Sequence, residues 1–303
     1  TQGNLFGITG GEGTGKSNYV AAIVAGCICP AGAEVDTLGI QITANGRHKA
    51  VLLYDTEQSE VQLFKNVSNL LARAKQPDKP DELKAFCLTG MSRKERLNAI
   101  VQSMDKFYYQ YGGIQLVVID GIADLVKSAN DEAESVAVID ELYRLAGIYN
   151  TCILCVLHFV PNGLKLRGHL GSELQRKAAT ILSIEKDDEP AQSVVKALKV
   201  RDGSPLDVPL MLFAWDKEAG MHVYKGEKPR EEKEKRKERE LVNVAHDIFG
   251  RQTRITYIDL CEQLQQVLDI KERTAKSYIR FMRERDIITK DTANQSCFVI
   301  GSY

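Results

Sequence analysis

At 303 residues, with 44% hydrophobic and 27% charged residues, the chain has the make-up of a soluble globular protein long enough for one large domain and one small one. A net charge of −1 excludes a general affinity for polyanions, so any nucleic-acid site must be a local basic patch. No apolar stretch reaches the roughly 18 residues of a membrane span and no secretory signal opens the chain, which points to the cytoplasm and to no membrane partner.

The chain begins Thr1-Gln-Gly-Asn, without methionine, so a longer polypeptide is expected. The apolar stretch Leu5-Phe6-Gly7-Ile8 then predicts a strand. It runs into Gly10-Gly11-Glu12-Gly13-Thr14-Gly15-Lys16-Ser17, followed by the helical pattern Asn18-Tyr-Val-Ala-Ala-Ile-Val-Ala. That is the strand–loop–helix setting of a phosphate-binding loop, G-x-x-x-x-G-K-[ST]. Glycines let backbone N–H groups converge on phosphate oxygens, and the helix adds the positive end of its dipole. Lys16 is placed to reach the β- and γ-phosphates and the Ser17 hydroxyl to ligate Mg²⁺, so the expected ligands are ATP and Mg²⁺.

Val51–Asp55 is the next strand, followed by a helix carrying Val61, Leu63, Phe64, Val67, Leu70 and Leu71. Between them, Glu57 in Tyr54-Asp-Thr-Glu-Gln-Ser59 is a candidate to polarise an attacking water. It could equally be an acid complementing a helix dipole, and Asp55 competes for the same role. A strand at 85–89 and a helix over 92–111 precede Gln115-Leu-Val-Val-Ile-Asp120, whose terminal carboxylate suits a second Mg²⁺ anchor beside the phosphate loop. A helix near 132–149 and the strand Cys152–His158 follow. Cys152 and Cys155 are read as buried thiols rather than a zinc or redox pair, as is the Cys27/Cys29 pair.

Apolar runs alternating with helices mean a parallel sheet covered on both faces. After residue 180 the runs 181–185, 193–200, 208–214 and 222–224 are closely spaced, as in an antiparallel extension. Residues 226–240 are almost wholly charged, with the signs nearly cancelling, and read as a linker or helical arm. Residues 241–303 have their own small core. Helical stripes are predicted on Leu241–Phe249 and on Ile258, Leu260, Cys261, Leu264 and Val267. A third helix is expected to start at an Asp269 N-cap, with short strands near 286–289 and 296–300. Three helices and a β-hairpin resemble a winged helix-turn-helix, whose third helix would offer Lys271, Arg273, Lys276 and Arg280 to duplex DNA or, alternatively, to a protein partner.

The ordered set over residues 4–225 resembles the RecA-like ring ATPases, above all the hexameric replicative helicases of RepA/DnaB type. It comprises a phosphate loop, Asp-Thr-Glu after the next strand, Asp120 ending a third, and a strand ending in His158. Leu166-Arg-Gly-His-Leu-Gly-Ser172 is similar to their DNA-facing loop, and Leu198-Lys199-Val-Arg201 to the strand end carrying their arginine finger. The resemblance implies the following roles. Glu57 is the catalytic carboxylate. His158 is a sensor linking γ-phosphate to the DNA loop. Arg201, with Lys199, enters a neighbouring subunit's nucleotide site, and Arg167, Gly168 and His169 face single-stranded DNA in the channel of a hexameric ring. His169 departs from the pattern, which has a small residue there.

The fold expectation is therefore an α/β, RecA-like ATPase domain over 1–225, a charged arm over 226–240 and a winged helix-turn-helix over 241–303. The function it implies is an ATP-hydrolysing helicase or loader in replication or mobilisation of a plasmid-like or transposon element. An ATP-switched DNA-binding regulator without unwinding and a RecA-like recombinase are the alternatives.

Overall fold

The structure, a computed structural model, describes residues 2–158, 168–187, 191–228, 233–250, 252–292 and 294–301, with 233–237 as backbone only. Contacts divide the chain into two units, Thr1–Pro229 and Arg230–Tyr303.

In the larger unit each strand predicted up to His158 has a counterpart. In order come β1 (Asn4–Gly10), α1 (Lys16–Ile28), β2 (Ala50–Asp55), α2 (Glu60–Arg73), β3 (Leu83–Cys87), α3 (Arg93–Tyr111), β4 (Ile114–Asp120), α4 (Glu132–Ile148) and β5 (Cys152–His158). Then follow α5 (Gly168–Lys177), β6 (Thr180–Lys186), β7 (Gln192–Val200), β8 (Leu210–Asp216) and β9 (Met221–Lys228). One nine-stranded sheet has the order β3-β2-β4-β5-β1-β6-β7-β8-β9. It is parallel through β6 and antiparallel beyond.

Alternate residues of the parallel strands feed two separate cores, as a pleated strand buried on both faces requires. Leu52 and Tyr54 of β2 join α3, α4 and α5 on one face, while Val51 and Leu53 join α1 and α2 on the other. Helix starts are fixed locally. Asp131 accepts the Glu134 N–H at 3.0 Å to cap α4.

Some expectations shift. β3 lies at 83–87 rather than 85–89, because Lys84 is tolerated in this edge strand with its ammonium over Phe107 and Tyr111 at 5.7 and 5.4 Å. On α2, Val61 and Phe64 are 67% and 73% exposed, so the buried stripe is narrower than the apolar pattern suggests. The expected DNA-facing loop is helical from Gly168 onward. Leu170 and Leu174, four residues apart, sink into the core beside α4 and hold it so.

The smaller unit contains α6 (Lys233–Phe249), β10 (Ile255–Thr256), α7 (Tyr257–Leu268), α8 (Glu272–Glu284), β11 (Ile288–Lys290) and β12 (Cys297–Ile300). The three strands form an antiparallel sheet ordered β10-β12-β11. Leu241, Ala245, Leu260, Leu264, Ile279, Met282 and Phe298 make its core. Asp269 does not cap α8. It ends α7 in a left-handed conformation (φ 48°), with its N–H on the Gln265 carbonyl, and Lys271 precedes α8. Ile258 and Val267 are exposed at 68% and 55%, so only Leu260, Cys261 and Leu264 carry the α7 stripe inward.

Candidate functional site

β1 can end beside β6 only because residue 10 is glycine. A Cβ there would sit 2.3 Å from the Ile184 carbonyl oxygen. Gly15 is left-handed (φ 95°) and lies against Phe213, where a Cβ would meet the ring at 2.8 Å. The turn between them is closed by the buried Thr14, whose hydroxyl donates to the Gly11 carbonyl at 3.0 Å. α1 begins at Lys16 with no side chain capping it, so its first N–H groups remain open to an anion. Lys16 is 8% exposed, and its ammonium donates to the Gly10 and Gly11 carbonyls at 3.0 and 2.6 Å. Burial lowers its pKa, opposed by Asp120, Glu57 and Glu12.

Strand register assembles the remaining groups. Asp55 faces Asp120 across β2 and β4, and Gly10 faces His158 across β1 and β5. All of these lie at the carboxyl ends of parallel strands, where open α/β sheets hold ligands. Asp55, the competitor for the catalytic role, is 2% exposed and accepts the N–H groups of Glu57 and Gln58 at 3.0 and 2.8 Å. It shapes the turn that presents the exposed Glu57. Thr56 fastens the same turn to β4 by donating to the Asp120 and Gly121 carbonyls at 3.0 and 2.8 Å.

His158 stands between the two charged partners. Its Nδ1 accepts from Lys16 Nζ at 3.3 Å and its Nε2 lies 3.4 Å from Glu57 Oε2. Both contacts are met by a neutral ring protonated on Nε2. Burial raises the Asp120 pKa to about 7, helped by Asp55 and Glu57 and opposed by Lys16. A carboxylate raised in this way, next to the free Ser17 at the start of α1, fits a cation shared with phosphate oxygens. Among the described residues no three His, Cys, Asp or Glu make a cage for a metal by themselves.

Glu12, Gly13, Thr14, Gly15, Lys16, Ser17, Asn18, Glu57, Asp120 and His158 line one cleft of about 290 Å³. Gln58 and His222 complete it, and neither was expected. Gln58 could have been suspected as Glu57's neighbour. His222 has no local signal, since it arrives through the pairing of β8 with β9.

The other expected residues lie elsewhere. Lys199 and Arg201 lie at the end of β7, at the opposite edge of the sheet from the phosphate loop. Lys199 Nζ donates to the Gln175 and Arg176 carbonyls at 2.6 and 3.1 Å. Arg201 donates to the Lys177 carbonyl at 2.9 Å and to Asn4 Oδ1 at 3.4 Å. Both thus cap the carboxyl end of α5. Gly168 and His169 open α5 with His169 exposed, while Arg167 lies outside the described residues. In the smaller unit Lys271, Arg273, Lys276 and Arg280 are all exposed on or just before α8. Lys276 pairs with Glu272 at 2.7 Å and Arg280 with Glu284 at 2.8 Å. A cleft of about 490 Å³ there is lined by Arg280, Arg283, Glu284, Asp286 and Lys290, among others. It holds charges of both signs but no phosphate loop, so the chemistry belongs to the other cleft.

The cysteines carry no such site. All seven are free, and burial pushes Cys27 up to about 12 and Cys155 above the ordinary thiol range. No helix among the described residues is long and apolar enough to cross a membrane.

This phosphate loop with its convergent carboxylates defines a P-loop ATPase. A family model described as an AAA domain matches residues 2–162, and the chain belongs to that family. Among solved structures it is similar to a KaiC-like protein from the hyperthermophilic archaeon Pyrococcus horikoshii, with a TM-score of 0.52 and 14% identity over 74% of this chain and 90% of that one. No curated protein matches the sequence. The larger unit is therefore a P-loop ATPase of RecA-like fold.

Proposed function

We propose that this protein is a ring-forming, nucleic-acid-dependent ATP motor of RepA/DnaB type. In this reading it is hexameric and acts as a helicase or loader in replication or mobilisation of a plasmid-like or transposon element. One observation carries the reading: among the described residues no arginine lines the cleft, and Lys16 is its one lysine. Phosphoryl transfer needs further positive charge as the γ-phosphoryl leaves. The residues proposed to supply it, Arg201 and Lys199, lie at the opposite end of the strands from their own phosphate loop, so in this reading they serve the nucleotide of a second copy.

Each group then has a task. Lys16 and the α1 N–H groups hold the β- and γ-phosphates. Ser17 and Asp120 would hold Mg²⁺, which when bound neutralises charge on the phosphate oxygens. Glu57 orients the attacking water and takes its proton. His158, touching Lys16 and Glu57 at once, changes partners when a γ-phosphate draws Lys16 away, and so reports nucleotide state toward Gly168 and His169. The smaller unit serves as a winged helix-turn-helix, with α8 and its Lys271, Arg273, Lys276 and Arg280 turned to duplex DNA or a protein partner.

ATP turnover with and without single-stranded DNA, measured alongside mass in solution, tests the reading. A ring whose turnover rises with single-stranded DNA is expected. Full turnover by a single-copy species would overturn it. ATP-dependent duplex binding without strand separation would favour a switch over a motor.

A further inference from the structure

An aromatic cluster on β8 and β9 reaches the rim of the cleft through His222, and the phosphate chemistry leaves it unused. Phe213 of β8 is buried beneath Gly15. Two residues on, and so on the same face, stands the chain's one tryptophan, Trp215, 54% exposed. β8 runs parallel to β1, because β7 reverses and β8 reverses again, so Trp215 lies at the same sheet edge as the phosphate loop. Its cross-strand partner in β9 is His222, whose ring meets Trp215 and Phe213 edge-on at 5.5 and 5.7 Å.

His222 lines the cleft with Ser17 and Asn18, and its Nδ1 is buried with no hydrogen-bond partner. The strand is anchored at that point. Buried Arg73 donates to the His222 carbonyl at 2.5 Å and to the Asp36 carbonyl at 2.9 Å. Burial, with Arg73 and Lys186 nearby, holds the His222 pKa below its ordinary range, so the ring stays neutral and apolar-faced at neutral pH.

We propose that Trp215, with His222 at its edge, is the platform on which the nucleobase of the bound nucleoside triphosphate stacks. The inference rests on the phosphate-loop reading and extends it from the phosphates to the base. A ligand whose phosphates sit over Lys16 and Ser17 extends past Asn18 to this rim. Stacking uses the π-face that every base has, so the platform holds adenine and guanine with little discrimination.

The single tryptophan makes the test direct in the unaltered full chain. ATP, GTP and inorganic tripolyphosphate are titrated by calorimetry and by tryptophan emission. Both nucleotides are expected to change Trp215 emission with similar affinities, while tripolyphosphate binds without that change. Trp215→Ala should weaken ATP about tenfold and leave tripolyphosphate unaffected, and Trp215→Phe should recover most of the loss. ATP binding with unchanged emission, or equal ATP affinity in Trp215→Ala, would overturn the platform while the phosphate loop stands. If neither ATP nor tripolyphosphate binds, the phosphate-loop reading falls and the platform with it.

Discussion

Where the parallel strands end, Asp55, Glu57 and Asp120 converge near one buried lysine, and burial with like charge lifts Asp120 to about 7. At the opposite edge of the same sheet, Lys199 and Arg201 have their donors met by the last carbonyls of α5. The first edge crowds carboxylates around a single buried lysine that offsets them only in part, whereas the cations of the second are already engaged by carbonyls of their own chain. Serving a neighbouring copy would require Arg201 to exchange its bonds to Lys177 and Asn4 for phosphate oxygens.

The sharpest way to break this contrast is to remove Arg201. Arg201→Ala should lower turnover about 10³-fold or more while ATP affinity holds. Mixing it with the equally inactive Lys16→Ala chain should restore part of the turnover, because some junctions then have an intact loop and an intact arginine. No restoration would leave Arg201 as a clasp for α5 alone.

Asp120→Asn probes the other edge through stability. Folded Asp120 titrates near 7, against about 4 in an unfolded chain. Between those values the folded state keeps a proton that the unfolded state has lost, so stability falls as pH rises through the window and stays low above it. The variant lacks that penalty. Free of nucleotide, it should gain up to about 4 kcal/mol near pH 8 and nothing near pH 4 in denaturant titrations. Identical curves for the two chains would contradict an unbalanced charge at this edge.

Smaller again is Glu57→Gln, for which a turnover loss of about 10²-fold with ATP binding kept is expected in steady-state assays. Least of all, Lys199→Met should cost α5 about 0.5–1 kcal/mol, read as a lowered melting temperature, with a loss of turnover well below that of Arg201→Ala.

The parts of this molecule that could be read from sequence are those whose pattern is local. β1, β2, β4 and β5 are continuous apolar runs because both faces are covered, and Gly10 through Ser17 carries its own spacing. Asp120 closes β4 and Glu57 follows two residues after β2, so both positions are legible locally. What escaped depends on distant pairing. His222 reaches the cleft only through the β8–β9 ladder, and α5 is helical because Leu170 and Leu174 find a core built by α4. Asp55 looked like Glu57's rival, since sequence cannot tell which of two neighbouring carboxylates turns inward to hold the chain. Asp269 was misassigned because an acid between two helices suits the end of one as readily as the start of the next.

The pairing of Asp55 with Asp120 and of Gly10 with His158 indexes the groups lining the cleft to the rungs of the sheet. A slip of one residue in either ladder would turn a carboxylate or the imidazole to the opposite face and bury polar groups in a core. The cleft's end of the sheet therefore cannot drift by degrees while the domain survives. On heating, activity and the packed interior of the larger unit should vanish together, in one cooperative step.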